Sequence, residues 1–251
     1  MRLNAIEMGE GPPVLLVHGL FGQARNWGTV QKRLAARFRA VAVDLRNHGG
    51  SPRAPGMAYA DLARDLAETM QARGLQGAAV IGHSMGGKAA MALALGHAGL
   101  VSRLLVADIA PRRYPPALRG YVAAMRALPL ATGLSRRDAD AALAPGVPEA
   151  GIRAFLLQSL DFTGEEPRWL LGLPEIAAAM PDIEGFEAGG RYDGAALFVR
   201  GERSDYIRPE DRAEILRLFP RAGFATVEGA GHWIHAEKPD AFLNIAEEFL
   251  G

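Results

Sequence analysis

With 251 residues, 49% of them hydrophobic and 22% charged, the chain fits one α/β domain carrying an insertion better than two independent domains. A formal net charge of zero points to neither nucleic acid nor an anionic membrane surface as a partner, and the absence of cysteine excludes disulfides and thiolate chemistry. No apolar run nears the roughly 20 residues that span a membrane, and the first seven residues lack the apolar core of a signal peptide, so a cytoplasmic protein is expected.

Val14-Leu15-Leu16-Val17 is a continuous apolar run between Pro13 and Gly19, the pattern of a strand buried on both faces. His18-Gly19-Leu20-Phe21-Gly22 follows it, in a loop at the edge of a parallel strand where α/β sheets bind ligands. Trp27 to Phe38 has helical spacing, with Trp27, Val30, Leu34 and Phe38 on one side, which makes Trp27 a core residue. Ala40–Val43 is the next strand and leads into Asp44-Leu45-Arg46-Asn47-His48-Gly49. There Asp44 and Arg46 suggest an ion pair or loop brace, and His48 reads as loop packing. Tyr59 to Arg73 is an amphipathic helix ended by Gly74 and Gly77.

Ala78–Ile81, Gly82-His83-Ser84-Met85-Gly86 and a run of helix formers then succeed one another. Strand, Gly-x-Ser-x-Gly and helix in that order make a nucleophile elbow, with the serine hydroxyl exposed on a sharp turn. A helix N-terminus at Ser84 also favours developing negative charge. In such folds one oxyanion-hole N–H comes from the residue after the nucleophile and one from the loop after an earlier strand. These donors are assigned to Met85 and to Leu20, with Phe21 as the alternative.

Leu104–Ala107 is a further buried strand, ending at Asp108-Ile109-Ala110-Pro111. The α/β alternation stops there. From Pro115 to about Met180 the spacing shows only helical pieces, near 117–128, 135–144, 149–160 and 169–180, so residues 112–190 are expected to form an all-helical lid. The core is then 1–111 and 191–251. Ala195–Val199 restores the strand pattern, followed by a helix at 210–219, a strand at 223–227 and a closing helix at 240–250.

A serine hydroxyl is a poor nucleophile until a base lies within hydrogen-bond reach. His232, in a glycine-rich loop after the last strand, is the best placed of six histidines and completes the order Ser…Asp…His. Two carboxylates compete to orient it. The Gly-x-x-Asp register after the penultimate strand, counted from Gly201, lands on Ser204, and Asp205 falls one residue late. Asp108, at the end of the strand that follows the nucleophile helix, is preferred, with Asp205 as the alternative acid. No metal-binding motif is present, and His232 with His235 is no zinc site without further ligands.

The motifs His18–Gly22, Asp44–Gly49, Gly82–Lys88, Asp108–Pro111 and Gly229-Ala230-Gly231-His232-Trp233 occur together here. In this combination, spread end to end, the chain resembles the small bacterial acyl esterases of the α/β-hydrolase superfamily and their mitochondrial relatives. The resemblance implies a mostly parallel sheet flanked by helices, a helical lid, and cofactor-free hydrolysis of short to medium acyl esters or thioesters. A serine at the Gly-x-x-Asp position is also common in that family, which supports Asp108. The expected partner is a small acyl ester or thioester, and the expected assembly a monomer or small homo-oligomer. The competing readings are a C–C bond hydrolase or lyase on the same scaffold and a non-catalytic ligand receptor. Met125, Phe155 and Leu156, apolar at helical spacing in the lid, are expected to line an acyl tunnel.

Overall fold

The computed structural model describes residues 1–187 and 189–251; residue 188, within the expected lid, lies outside them. Strand β1 (Ala5–Met8) is followed by β2 (Pro13–Val17), α1 (Gly28–Leu34), β3 (Arg39–Val43), α2 (Tyr59–Ala72), β4 (Ala78–His83), α3 (Met85–Gly96) and β5 (Val101–Ala107). The sheet resumes at β8 (Ala195–Gly201), after which come α8 (Asp211–Leu218), β9 (Ala222–Val227), α9 (Ile234–Glu237) and α10 (Pro239–Leu250). Seven strands form one sheet in the order β1-β3-β2-β4-β5-β8-β9. Only the first pairing, β1 with β3, is antiparallel.

The apolar runs become central strands because helices cover both faces of the sheet. Along β2, Leu15 and Val17 enter one hydrophobic cluster, with α2 and α3, while Val14 and Leu16 enter the other, with α1 and α10. Alternate residues of a strand face opposite sides, so a strand buried on both carries no polar residue. Trp27 is fully buried in the second cluster, as its spacing predicts. β1 escapes the sequence pattern because it is an edge strand, half-buried at Ala5 and exposed from Ile6 to Met8.

Between β5 and β8 lie α4 (Arg119–Ala127), α5 (Arg136–Leu143), α6 (Ala150–Leu157) and α7 (Leu173–Glu184). Ser135 caps α5 by accepting the Asp138 N–H at 3.1 Å. Among the described residues the insertion's regular elements are helices and one short ladder, in which β6 (Leu160–Asp161) pairs antiparallel with β7 (Arg168–Trp169). Trp169, expected in a helix, belongs to that ladder, and α7 begins four residues later. Two residues per strand are too few to show the alternation by which a strand is recognised.

Candidate active site

β4 ends at His83 and α3 begins at Met85, so Ser84 alone makes the turn, at φ +53° and ψ −122°. That is a costly backbone conformation for a residue with a Cβ. The turn is possible because its neighbours are glycines. A Cβ on Gly82 would collide with the Gly86 carbonyl, and one on Gly86 with the carbonyls of Val17 and His18. Asp108 sits in the same way one strand over, at φ +53° just past β5. Each N–H bonds the neighbouring strand, Ser84 to the Ala107 carbonyl at 3.0 Å and Asp108 to that of Val199 at 2.8 Å.

His232, in the loop after β9, joins the two. Its Nε2 lies 3.0 Å from Ser84 Oγ and its Nδ1 2.8 Å from Asp108 Oδ2. Asp108 is fully buried, and its Oδ1 accepts the Gly201 N–H at 2.9 Å. Ser204 Oγ donates to Asp108 Oδ2. The hydroxyl at the Gly-x-x-Asp register thus supports the carboxylate that stands in its place, a partnership the sequence marks only as a broken register. Asp205 is exposed and lines a cavity wall, and among the described residues its carboxylate bonds no imidazole. The structure brings Asp108, not Asp205, to His232.

Of the two loop N–H groups considered beside Ser84, Phe21 is already engaged. Its backbone, at φ +65°, directs the N–H to Nε2 of His48 at 3.2 Å. Leu20 and Met85 have no acceptor for their N–H among the described residues, and both line the cavity at Ser84. Met85 is also the first residue of α3, where the helix dipole adds partial positive charge.

Two buried imidazoles hold this loop. A ring nitrogen that accepts a backbone N–H carries no proton, so in each ring the other nitrogen is the donor. His48 Nδ1 donates to the Arg46 carbonyl at 2.8 Å. His18 Nε2 accepts from Leu45 at 3.0 Å, and its Nδ1 donates to the Gly19 carbonyl at 2.8 Å. Burial, aided by the neighbouring His18, pulls His48 down to about 3, which keeps it a neutral acceptor. Asp44 braces the same region, accepting the N–H of Ala24 at 2.6 Å and of Gly50 at 2.8 Å. Asp44 and Arg46 are not paired with each other. Arg46 turns away to buried Asp65 at 2.6 Å on α2, while the oxygens of Asp44 are taken by the Ala24 and Gly50 N–H groups and the Asn4 side-chain amide.

His232 is held on its faces as well as its edges. Tyr206 stacks on the imidazole at 3.8 Å between centroids, 21° from parallel. His83 donates from Nε2 to the His232 carbonyl at 2.9 Å. Burial holds His83 well below an ordinary imidazole and His235 down at about 3. His235 stacks on Trp27 at 4.5 Å.

Two cavities meet at Ser84. One, of about 220 Å³, is lined by Met85, Lys88, Tyr59, Met180 and Glu184. The other, of about 310 Å³, is walled by His232, Trp233, Ile152, Phe155 and Leu156. Phe155 and Leu156 therefore lie where an apolar substrate group can reach them. Met125 does not. It is fully buried, its carbonyl accepts from Trp169 Nε1 at 3.1 Å, and it borders a separate hollow with Arg53 and Leu130. The face of α4 that looks apolar in sequence is turned partly onto Trp169 and α7. Lys88 Nζ donates to the carbonyls of Glu184 at 3.1 Å and Gly185 at 2.6 Å, at the end of α7. Burial, then Arg112 and Arg113, lower Lys88 to about 7. Among the described residues no helix is long and apolar enough to cross a membrane, and no cluster of acidic and histidine side chains is arranged for a metal ion.

The sheet order, the elbow at Ser84 and the helical insertion after β5 define an α/β hydrolase. The model of the alpha/beta hydrolase family matches residues 14–245, and the chain belongs to that family. It is 39% identical over 256 residues to esterase YbfF of Escherichia coli (strain K12), a match covering 100% of this chain and 99% of that protein. It is likewise 39% identical over 248 residues to the sn-1-specific diacylglycerol lipase ABHD11 of Mus musculus, covering 95% of this chain and 81% of that one. Among solved structures, a marine microorganism esterase aligns with a TM-score of 0.95 and 34% identity over 99% of each chain. By this kinship the chain is a carboxylic ester hydrolase.

Proposed function

We propose that the protein cleaves carboxylic esters of short to medium acyl chains through an acyl-Ser84 intermediate. The observation that carries this reading is the unbroken line from buried Asp108 through His232 to Ser84 Oγ, at 2.8 and 3.0 Å. Ser84 Oγ attacks the acyl carbon while His232 Nε2 takes its proton. The carbonyl oxygen becomes an oxyanion facing the N–H groups of Leu20 and Met85. The bond to the leaving oxygen then breaks as Nε2 returns the proton to that oxygen. Water repeats the sequence and frees the acid. Asp108 keeps Nδ1 protonated and offsets the charge of the transient imidazolium. A thioester can follow the same steps with sulfur as the leaving atom.

The test combines a fluorophosphonate probe with p-nitrophenyl acyl esters. Peptide mapping should place the adduct on Ser84, and Ser84→Ala should lower kcat by about 10⁶-fold. An adduct elsewhere, or an active Ser84→Ala, would overturn the reading.

A further inference from the structure

The two cavities at Ser84 stand in different relations to the reacting atoms. In the tetrahedral intermediate the acyl carbon holds Ser84 Oγ, the oxyanion, the leaving oxygen and the acyl chain. The leaving oxygen must lie toward His232 Nε2, because that nitrogen protonates it. The acyl chain therefore extends away from His232. Only the larger cavity is walled by His232 and Trp233, and only the smaller one by Met85, an oxyanion donor. Leu118 and Tyr206 border both and form the partition beneath which a substrate would lie.

The linings differ too. The smaller cavity is lined in part by Lys88, whose ammonium is bonded to the carbonyls that end α7, and by Glu184 and Arg112. A polymethylene chain long enough to arrive there would strip polar groups of solvent without replacing it. The larger cavity also touches Asn26, His83 and His235, but it presents the apolar side chains of Ile152, Phe155, Leu156 and Trp233.

We infer that the Met85–Lys88 cavity takes the acyl group and the Trp233–Phe155 cavity takes the leaving group, so the preferred ester joins a short acyl group to a larger apolar alcohol. This assignment rests on the acyl-Ser84 reading. It moves Phe155 and Leu156 from acyl selection to selection of the alcohol.

Two ester series test it. In one, p-nitrophenol is constant and the acyl chain lengthens; in the other, acetate is constant and the alcohol grows from ethyl to octyl. Phe155 is half-buried, so Phe155→Ala should fold. It should change relative kcat/KM across the alcohol series by tenfold or more, since about 10- to 200-fold rides on a methylene in an apolar pocket. The ranking of the acyl series should not move. Met180→Ala, its folding checked by melting, should do the converse and shift the acyl optimum to longer chains. A Phe155→Ala enzyme whose acyl ranking moves, or whose alcohol ranking does not, overturns the assignment. If the wild-type protein cleaves neither series, it is the ester-hydrolase reading that fails.

Discussion

The floor of the site and the helices above it are held by different forces. On the floor, four loops at the ends of β2, β3, β5 and β8 meet through buried polar bonds, each with one donor and one acceptor. His48 serves Phe21, Asp44 serves Ala24, and Ser204 serves Asp108. Over it, Val122 and Met125 of α4 and Ile176 and Met180 of α7 join one apolar cluster, with polar ties alongside. Arg119 with Glu184 at 2.6 Å and Trp169 with the Met125 carbonyl are two of them. A floor built from single bonds fails when one atom is exchanged, because the partner is left buried and unsatisfied. Packed helices fail by volume, and by degrees.

The largest effect should come from an isosteric change on the floor. Asp108→Asn should lower kcat by up to about 10⁴-fold, through loss of the Nδ1–H tautomer of His232. Asp205→Asn should stay close to wild type on the same p-nitrophenyl ester. Equal losses would mean that the acid is shared, and the reverse order would overturn the geometry.

His48 sharpens the contrast at one remove. His48→Leu strands the Phe21 N–H and loosens the loop that carries Leu20. The expected loss is in kcat with KM little changed, and smaller than the roughly 10²–10³-fold cost of losing an oxyanion donor outright. His48→Gln, which keeps an acceptor, should recover part of it. A change confined to melting temperature would reduce His48 to a packing role.

Met125→Ala probes the roof. A fully buried methionine cut to alanine should cost about 2–5 kcal/mol of stability. Its chain-length profile should match wild type, because Met125 borders neither cavity at Ser84. An altered profile would return it to the substrate path.

The smallest effect, near neutral pH, concerns proton linkage. His48 and His235 are both lowered from an ordinary 6.5 to about 3 by burial. Between those values the unfolded chain binds more protons than the native one, so stability rises with pH across that window. Their contribution is complete above about 6.5 and drains away as pH falls toward 3. Melting temperature should therefore drop from pH 7 to pH 5, and drop less in His235→Phe, which keeps the stack on Trp27. An unchanged slope would remove His235 from the account.

Much of this was legible without coordinates wherever the signal is local. Buried runs such as Val14–Val17, the Gly82/Gly86 spacing around Ser84 and the caps of α5 each need only their own few neighbours to be recognised. β1 was not, because an exposed edge strand shows no apolar run. The partner of Arg46 was not, because Asp65 stands 19 residues away on another element.

The sequence by itself determined the elbow serine, the histidine after the last strand and the place where the sheet is interrupted, since each follows from residue type and spacing over a few positions. Tertiary structure decided which carboxylate meets His232. Asp108 and Asp205 were both plausible in chain order, and 124 residues separate Asp108 from the imidazole it touches. It also decided that Leu20 rather than Phe21 keeps its N–H free, because the competing acceptor, His48, arrives from a different strand end. And it decided that Phe155 borders a cavity at Ser84 while Met125 borders a separate hollow with Trp169. Periodicity tells which side of a helix is apolar, but the neighbour that covers that side is set by packing between elements distant in the chain.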